Sequence, residues 1–192
     1  MFRHIGTMLR DILEAVLLAA VLYAVLQFAV QNTIVEGSSM VPNFADQEWL
    51  LVNKLAYRWA TPQRGDVIVF YAPEQAKKEF IKRVIGLPGE TVEIRGGVVR
   101  IDGRPLAEPW APVADRSSFG PFHVPAGEYF MLGDNRPSSN DSRSWGVTGA
   151  GLASDRIIGK AWLRLWPRER MGFISAAASP TVSGATLPAG RP

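Results

Sequence analysis

The sequence predicts a mainly β protein, built as a folded sheet or barrel-like domain that follows one N-terminal transmembrane helix. Two observations predict this class. Residues 12–30 form one long apolar run with a single charge, which is the pattern of a membrane-spanning helix. After Asn32 the chain changes to short β-branched and aromatic runs separated by glycine and proline, which is typical of strands and turns.

The apolar run has the length and flanks of a retained membrane anchor. Its nineteen residues, at 1.5 Å each, reach about the 30 Å thickness of a bilayer core. Glu14 is its only charge, and Arg3 and Arg10 precede it, which favours a cytoplasmic N-terminus. The run is longer than the apolar core of a cleaved signal peptide, and no small-x-small cleavage site follows it. We therefore predict an anchor rather than a secretory signal.

Eight strands are predicted beyond the anchor. Gly96-Gly97 and Asp102-Gly103 indicate tight hairpin turns, and 55–60 indicates a short helical turn. The predicted strands are Thr33–Glu36, Glu48–Asn53, Asp66–Tyr71, Glu79–Ile85, Thr91–Arg95, Val98–Ile101, Glu128–Leu132 and Ile157–Trp166.

These patterns divide the chain into four parts. Residues 1–11 are predicted to be cytoplasmic, and residues 12–31 to be the transmembrane anchor. Residues 32–174 are predicted to form an extracytoplasmic β domain, in which the proline- and glycine-rich stretch 107–127 is an extended loop. Residues 175–192 lack aromatic residues and carry almost no charge, so we predict a disordered tail.

Composition excludes several classes of function. There are 21 lysine and arginine residues against 18 aspartate and glutamate residues, and the net charge is +3. The basic residues are scattered rather than interleaved with stacking aromatics, so no nucleic-acid partner is predicted. The absence of cysteine excludes disulfides and thiolate metal sites. No His/Asp/Glu set has ligand spacing, so we expect neither a metal nor another cofactor.

Ser39 is a candidate nucleophile. It lies in the run Gly37-Ser38-Ser39-Met40-Val41-Pro42, directly after the chain leaves the anchor. Such a run alone is typical of a polar loop. A proline-fixed turn can also present a serine hydroxyl while the serine N–H points at a developing oxyanion.

Lys82 is the matching candidate base, since a serine hydroxyl is a weak nucleophile until another group takes its proton. Strand alternation places Lys82 on one face with Phe80 and Val84. Apolar neighbours disfavour the charged ammonium and lower the lysine pKa. The alternative is an edge lysine whose amine reaches water.

The segment 133–143 is the third candidate element. It follows a predicted strand and carries two aspartates and two arginines within a short loop. Such a loop is either a solvated turn or a network of charge pairs that braces a site. Asp134 and Asp141 offer oxygen ligands of the kind that calcium prefers, but their spacing does not match the EF-hand pattern.

In their order, these elements resemble the type I signal peptidases, which are membrane-bound serine–lysine endopeptidases that remove secretory signal peptides. The resemblance covers roughly residues 5–170. It rests on the anchor and on the boxes 37–42 (GSSMVP), 64–70 (RGDVIVF), 81–89 (IKRVIGLPG), 133–136 (GDNR), 141–143 (DSR) and 145–146 (WG).

The resemblance implies roles for individual residues. Ser39 matches the nucleophile, Lys82 the general base, and Ser139 the serine that orients the lysine amine. The residues implied to brace the site are Asp134, Arg136, Asp141 and Arg143. The residues implied to shape small pockets for alanine-sized side chains, in an Ala-x-Ala preference, are Val35, Met40, Phe44, Phe80 and Ile81.

The resemblance also implies an oxyanion hole. Its first donor is the backbone N–H of Ser39. In some family members a serine two residues before the nucleophile supplies a hydroxyl, but that position is Gly37 here. The hydroxyl donor is therefore missing from position 37, and Ser38 is a candidate in its place.

The resemblance further implies a coiled all-β catalytic domain, a second β-domain that is small or absent, and cleavage through an acyl-enzyme. The implied partners are signal-peptide-bearing preproteins and the lipid bilayer. The implied location is the bacterial cytoplasmic membrane, as a single-pass protein and a monomer.

Two other functions remain open at this point. One is a non-catalytic, membrane-anchored β-domain that binds exported polypeptides. The other is a self-cleaving serine–lysine peptidase. Ser39, Lys82 and Ser139 are all present, which favours the endopeptidase.

Overall fold

The computed structural model describes residues 2–73, 75–112, 115–145 and 149–175. Its first element is the helix α1, Phe2–Ala29. Within it, Arg10–Ala29 is long and apolar enough to cross a membrane, with a mean hydropathy of 2.2. The predicted tail lies outside the described residues beyond Ser175.

The end of the helix corrects the predicted anchor bounds. The anchor was predicted to include Val30 and Gln31, but both belong to the first strand. The helix ends at Ala29, whose carbonyl accepts a hydrogen bond from the N–H of Lys54 at 2.9 Å. Strand pairing begins at the next residue, so no linker separates the helix from the β domain.

Within the described residues, twelve strands form two antiparallel sheets, so the mainly β prediction is confirmed. The larger sheet has the order β1-β2-β11-β3-β4-β9-β10, with β12 beside β11, and the smaller has the order β7-β6-β5-β8. The strands are β1 Val30–Ile34, β2 Trp49–Asn53, β3 Val67–Ala72, β4 Gln75–Gly86, β5 Thr91–Arg95, β6 Val98–Ile101, β7 Arg104–Pro105, β8 Phe119–His123, β9 Glu128–Leu132, β10 Gly151–Ala153, β11 Ile157–Trp166 and β12 Gly172–Phe173.

The loop predicted over 107–127 is wrong in part. Phe119–His123 forms β8 and pairs with β5, with His123 opposite Thr91. The glycine and proline inside β8 hide its strand character, and its pairing partner lies far away in sequence. The short strands β7, β10 and β12 were not predicted either. The segment 55–60 is a turn, with the Arg58 N–H bonded to the Leu55 carbonyl.

The core lies on both faces of the strands that carry the candidate residues. One cluster of buried side chains joins the smaller sheet to β4 and β9, including Ile85, Phe130 and Leu132. Another lies beneath the Ser39 turn and includes Met40 and Phe44. Burial of large apolar side chains, at about 25 cal/mol per Å², holds β4 and the turn in fixed relative positions.

Candidate active site

Ser39 and Lys82 meet at one end of an open cavity. Ser39 lies in the turn between β1 and β2, and Lys82 lies in β4. The Lys82 Nζ lies 2.8 Å from the Ser39 Oγ and donates a second hydrogen bond to the Ile81 carbonyl at 2.9 Å. Lys82 is 4% exposed. Two residues 43 positions apart in the sequence are therefore in direct contact.

Burial changes the titration of Lys82. Loss of water around the ammonium lowers the pKa of Lys82 to about 8, and the charges of Asp141 and Asp134 oppose this change. The Nζ also lies 5.1 Å from the centre of the Phe80 ring. A substantial fraction of the amine is neutral near pH 8, and a neutral amine can accept a proton from a hydroxyl.

Backbone and side-chain hydrogen bonds fix the turn that carries Ser39. The Gly37 N–H donates to the Asp46 Oδ1 at 2.7 Å, and Gly37 has a φ of +83°. Glycine adopts this left-handed conformation without the steric cost of a side chain. Asn135 donates its side-chain amide to the Ser38 carbonyl and its N–H to the Ser39 carbonyl, both at 3.0 Å.

A second group of charged side chains holds the part of the turn at Pro42 and Asn43. Nothing in the sequence indicated this group. Glu48 is 2% exposed and forms ion pairs with Arg164 at 2.7 Å and Arg170 at 2.5 Å. Both arginines donate to the Asn43 carbonyl, at 2.6 and 2.8 Å. Arg170 also bonds the Pro42 carbonyl at 3.2 Å. No local sequence signal links residues so far apart.

Ser139 lies beside the Ser39 turn, but its hydroxyl forms no hydrogen bond to the Lys82 amine that it is predicted to orient. The buried Ser139 Oγ has no hydrogen-bond partner within the described part of the chain. Gly133 lies between Ser139 and the backbone of Ser39: a Cβ at Gly133 would lie 2.2 Å from the Ser139 Oγ and 2.5 Å from the Ser39 carbonyl oxygen. Only glycine fits at position 133 without displacing one of them.

The candidate second oxyanion donor, Ser38, has a hydroxyl neighbour. The Ser38 Oγ lies 3.0 Å from the Ser138 Oγ, so these two hydroxyls share a hydrogen bond at the edge of the cavity. Gly37 offers no side chain, as the sequence showed.

The cavity beside Ser39 has a volume of about 760 Å³. Of the predicted pocket residues, Phe80 and Ile81 line it, together with Val69. Val35, Met40 and Phe44 do not. They are at most 3% exposed and pack in the core beneath the turn.

Ion pairs are formed by all four of the residues that are predicted to brace the site. Arg143 binds Asp141 through its Nε at 2.8 Å and also reaches Asp115 at 3.0 Å. Asp141 accepts a further bond from the Gly133 N–H at 3.0 Å.

Asp134 and Arg136 pair with residues outside the predicted set. Asp134 pairs with Arg83, which directly follows Lys82. Arg136 pairs with Glu108, from the predicted loop, with one contact at 3.0 Å. Arg83 lies in the segment 81–89, which is one of those that carry the resemblance. Nothing in the sequence near Glu108 indicated that Glu108 pairs with a bracing residue.

No set of three or more metal-binding side chains comes together within the residues that the structure describes. His123 lies in β8 of the smaller sheet, and it is not among the residues that line the cavity.

Comparisons with known proteins agree on one family. The family model described as signal peptidase, peptidase S26, matches residues 8–166. A signal peptidase I of Leptolyngbya laminosa is 40% identical over 159 residues, which are 79% of this chain and 76% of that protein. A probable signal peptidase I-1 of Synechocystis is 37% identical, over 88% of each chain.

Two further relatives come from Bacillus subtilis and Enterococcus faecalis. Signal peptidase I T of Bacillus subtilis is 37% identical, over 82% of this chain and 86% of that protein. The crystal structure of a signal peptidase I from Enterococcus faecalis is 34% identical and covers 53% of this chain and 97% of that one, with a TM-score of 0.45.

Proposed function

The chain belongs to the S26 family of signal peptidases, and from this premise we propose that it is a membrane-anchored endopeptidase that cleaves signal peptides with a Ser39–Lys82 dyad. The observation that carries the proposal is the 2.8 Å contact between the buried Lys82 Nζ and the Ser39 Oγ. A serine and a base within hydrogen-bond reach are what nucleophilic catalysis requires.

In the proposed mechanism the neutral Lys82 amine takes the proton of the Ser39 hydroxyl while the Oγ attacks the carbonyl carbon of the cleaved bond. The carbonyl oxygen gains the negative charge, and the Ser39 N–H is the donor proposed to stabilise it. The Lys82 ammonium then returns the proton to the departing amine, which leaves an acyl-enzyme. Water, deprotonated by the same amine, hydrolyses the ester and frees Ser39.

The shape of the cavity supports an extended substrate with small side chains. Residues of both β1 and β4 line it, and Val69, Phe80 and Ile81 form its apolar lining near the dyad. Bulky apolar lining favours alanine-sized side chains before the cleaved bond, which is the basis for proposing an Ala-x-Ala preference.

The helix Arg10–Ala29 supports anchoring in the bacterial cytoplasmic membrane, with the N-terminus in the cytoplasm and the β domain outside. The helix carries no charged residue beyond Glu14, and Arg3 and Arg10 occupy the end proposed to be cytoplasmic. Because the helix runs directly into β1, the cavity is proposed to lie close to the bilayer, where a signal peptide emerges.

The proposal is tested with the purified full-length chain and a preprotein that carries an Ala-x-Ala site. We expect one cut after the second alanine, found by mass spectrometry, and no cut with Ser39→Ala or Lys82→Ala. The matched controls are Ser118→Ala, an exposed serine of the loop before β8, and Lys54→Ala, outside the cavity. Turnover in a folded Ser39→Ala protein would contradict the mechanism, and binding without any cut would favour the non-catalytic alternative.

A further inference from the structure

Two strand edges without a pairing partner face each other across the cavity. Strand β1 pairs with β2 and with no other strand in the described part of the chain. Strand β4 pairs with β9 only from Arg83 onward, so the segment before Arg83 pairs with β3 alone. Residues 31–34 and 78–82 line opposite walls of the same groove.

One carboxylate joins these two walls. Glu79 accepts a hydrogen bond from the Gln31 Nε2 at 2.9 Å through one oxygen and from the Thr33 Oγ1 at 3.2 Å through the other. Three strands separate β1 from β4 in the sheet order. The contact therefore crosses the groove and is not part of the sheet ladder.

The bridge lies at the end of the groove nearer the helix. Glu79 precedes Lys82 by three residues, which is about 10 Å along a strand. Gln31 and Thr33 precede Ser39 by eight and six residues and follow α1 directly. A short peptide bound at Ser39 can leave the bridge in place, whereas a longer chain that continues toward the helix cannot.

We propose that Glu79 is a latch that closes the helix-side end of the groove and is displaced by a long extended substrate. A strand inserted between two others needs about 4.8 Å on each side, and the bridging side chains occupy that space. This inference rests on the proposed function, because it concerns the substrate of the same groove. Glu79 is exposed, and exposed charged contacts are weak, so substrate N–H groups can replace the two donors.

Kinetics with two substrates test the latch. For a long peptide that reaches past the bridge, we expect Glu79→Ala to lower KM about two- to tenfold, since the loss of a weak contact shifts binding by at most about tenfold. We expect kcat to be unchanged, and both constants to be unchanged for a peptide that extends only three residues before the cleaved bond. Glu93→Ala, in the smaller sheet, is the matched control.

The direction of the change decides between roles for Glu79. A raised KM for the long peptide would make Glu79 a substrate contact, and an unchanged KM would make the bridge irrelevant. Either result overturns the latch. Binding of the long peptide to Ser39→Ala, with and without Glu79→Ala, gives the same comparison without turnover. A wild-type chain that cuts neither peptide would instead refute the proposed function.

A reversible cross-link tests the same inference in the opposite direction. The chain has no cysteine, so Gln31→Cys with Glu79→Cys supplies the only two thiols for a bifunctional methanethiosulfonate reagent. We expect the locked protein to lose at least tenfold in cleavage of the long peptide, to retain cleavage of the short one, and to recover after reduction. Single-cysteine variants treated with the same reagent are the controls. Undiminished cleavage of the long peptide, or equal loss of both peptides, overturns the latch.

Discussion

Arg83 and Asp134 form a bidentate ion pair that is almost completely buried. The Arg83 Nε lies 2.8 Å from the Asp134 Oδ1, and its Nη2 lies 2.6 Å from the Oδ2. The guanidinium also bonds the Gly65 carbonyl at 2.8 Å and stacks on Trp110. Because Arg83 follows Lys82 and Asp134 follows β9, the pair ties the strand of the proposed base to the loop beside it.

Removal of one partner of this pair is expected to destabilise the fold strongly. Asp134→Ala leaves a buried guanidinium without its counter-charge, which typically costs about 3–5 kcal/mol. We expect a loss of that size in the free energy of unfolding, measured by urea denaturation of the full-length chain. The control is Glu93→Ala, whose partner Arg95 is 72% exposed, and there we expect a loss below about 1 kcal/mol. Equal losses in the two variants would show that the buried pair does not stabilise the fold.

The Glu48 network is expected to affect the rate more than substrate binding. Arg164 and Arg170 hold carbonyls of the turn that carries Ser39, and a small displacement of a nucleophile slows a reaction steeply. We expect Arg164→Met to lower kcat about tenfold, which is about 1.4 kcal/mol, with little change in KM.

The same network has a conservative variant and a control. Arg164→Lys keeps the charge toward Glu48 and is expected to recover part of the rate. Arg104→Met, an exposed arginine of the smaller sheet, should leave the rate unchanged. A raised KM with an unchanged kcat would instead place Arg164 in substrate binding.

Two of the strands that the sequence predicts with the observed bounds share a simple local pattern. Thr91–Arg95 and Val98–Ile101 alternate buried and less buried side chains around a two-glycine turn, and such hairpins are encoded locally. Strand β8 was missed because its interior glycine and proline are typical of loops. It forms because β5 offers a free edge.

The contact between Ser39 and Lys82 was predictable, and most of the contacts that support it were not. Ser39 and Lys82 lie in recognisable boxes, so the resemblance paired them. The partners of Asp134 and Arg136 lie 51 and 28 residues away, and no periodicity links such positions. Tertiary contacts of this kind depend on the order of strands in the sheet, which short-range patterns do not contain.

Ser139→Ala is expected to show whether Ser139 orients the Lys82 amine or stabilises the fold. The Ser139 Oγ is buried without a hydrogen-bond partner, and an unsatisfied buried hydroxyl costs free energy. We therefore expect Ser139→Ala to leave the free energy of unfolding unchanged or raised. If its hydroxyl orients the Lys82 amine once substrate is bound, kcat falls, but less than with Lys82→Ala, because orientation does not itself remove the proton. A loss of rate equal to that of Lys82→Ala would give Ser139 a direct role.

The last prediction concerns the pH dependence of the rate. Burial lowers the pKa of Lys82 to about 8. Only the neutral amine accepts the serine proton, and this form predominates above that pKa. We expect kcat/KM, which reports the free enzyme, to rise about tenfold per pH unit below the pKa and to level off above pH 8. Phe80→Ala admits water to the amine, and hydration favours the ammonium form. The rising part of the pH profile, its acidic limb, should therefore move to higher pH.

The assignment of the limb depends on two variants that behave differently. His123→Ala should leave it unmoved, since His123 lies in β8, in the smaller sheet. Lys82→Ala should abolish the limb together with the activity. A limb near pH 6.5, the ordinary pKa of histidine, that disappears in His123→Ala would make histidine the base. The serine–lysine mechanism would then be wrong, because the amine that contacts Ser39 would not be the group that titrates.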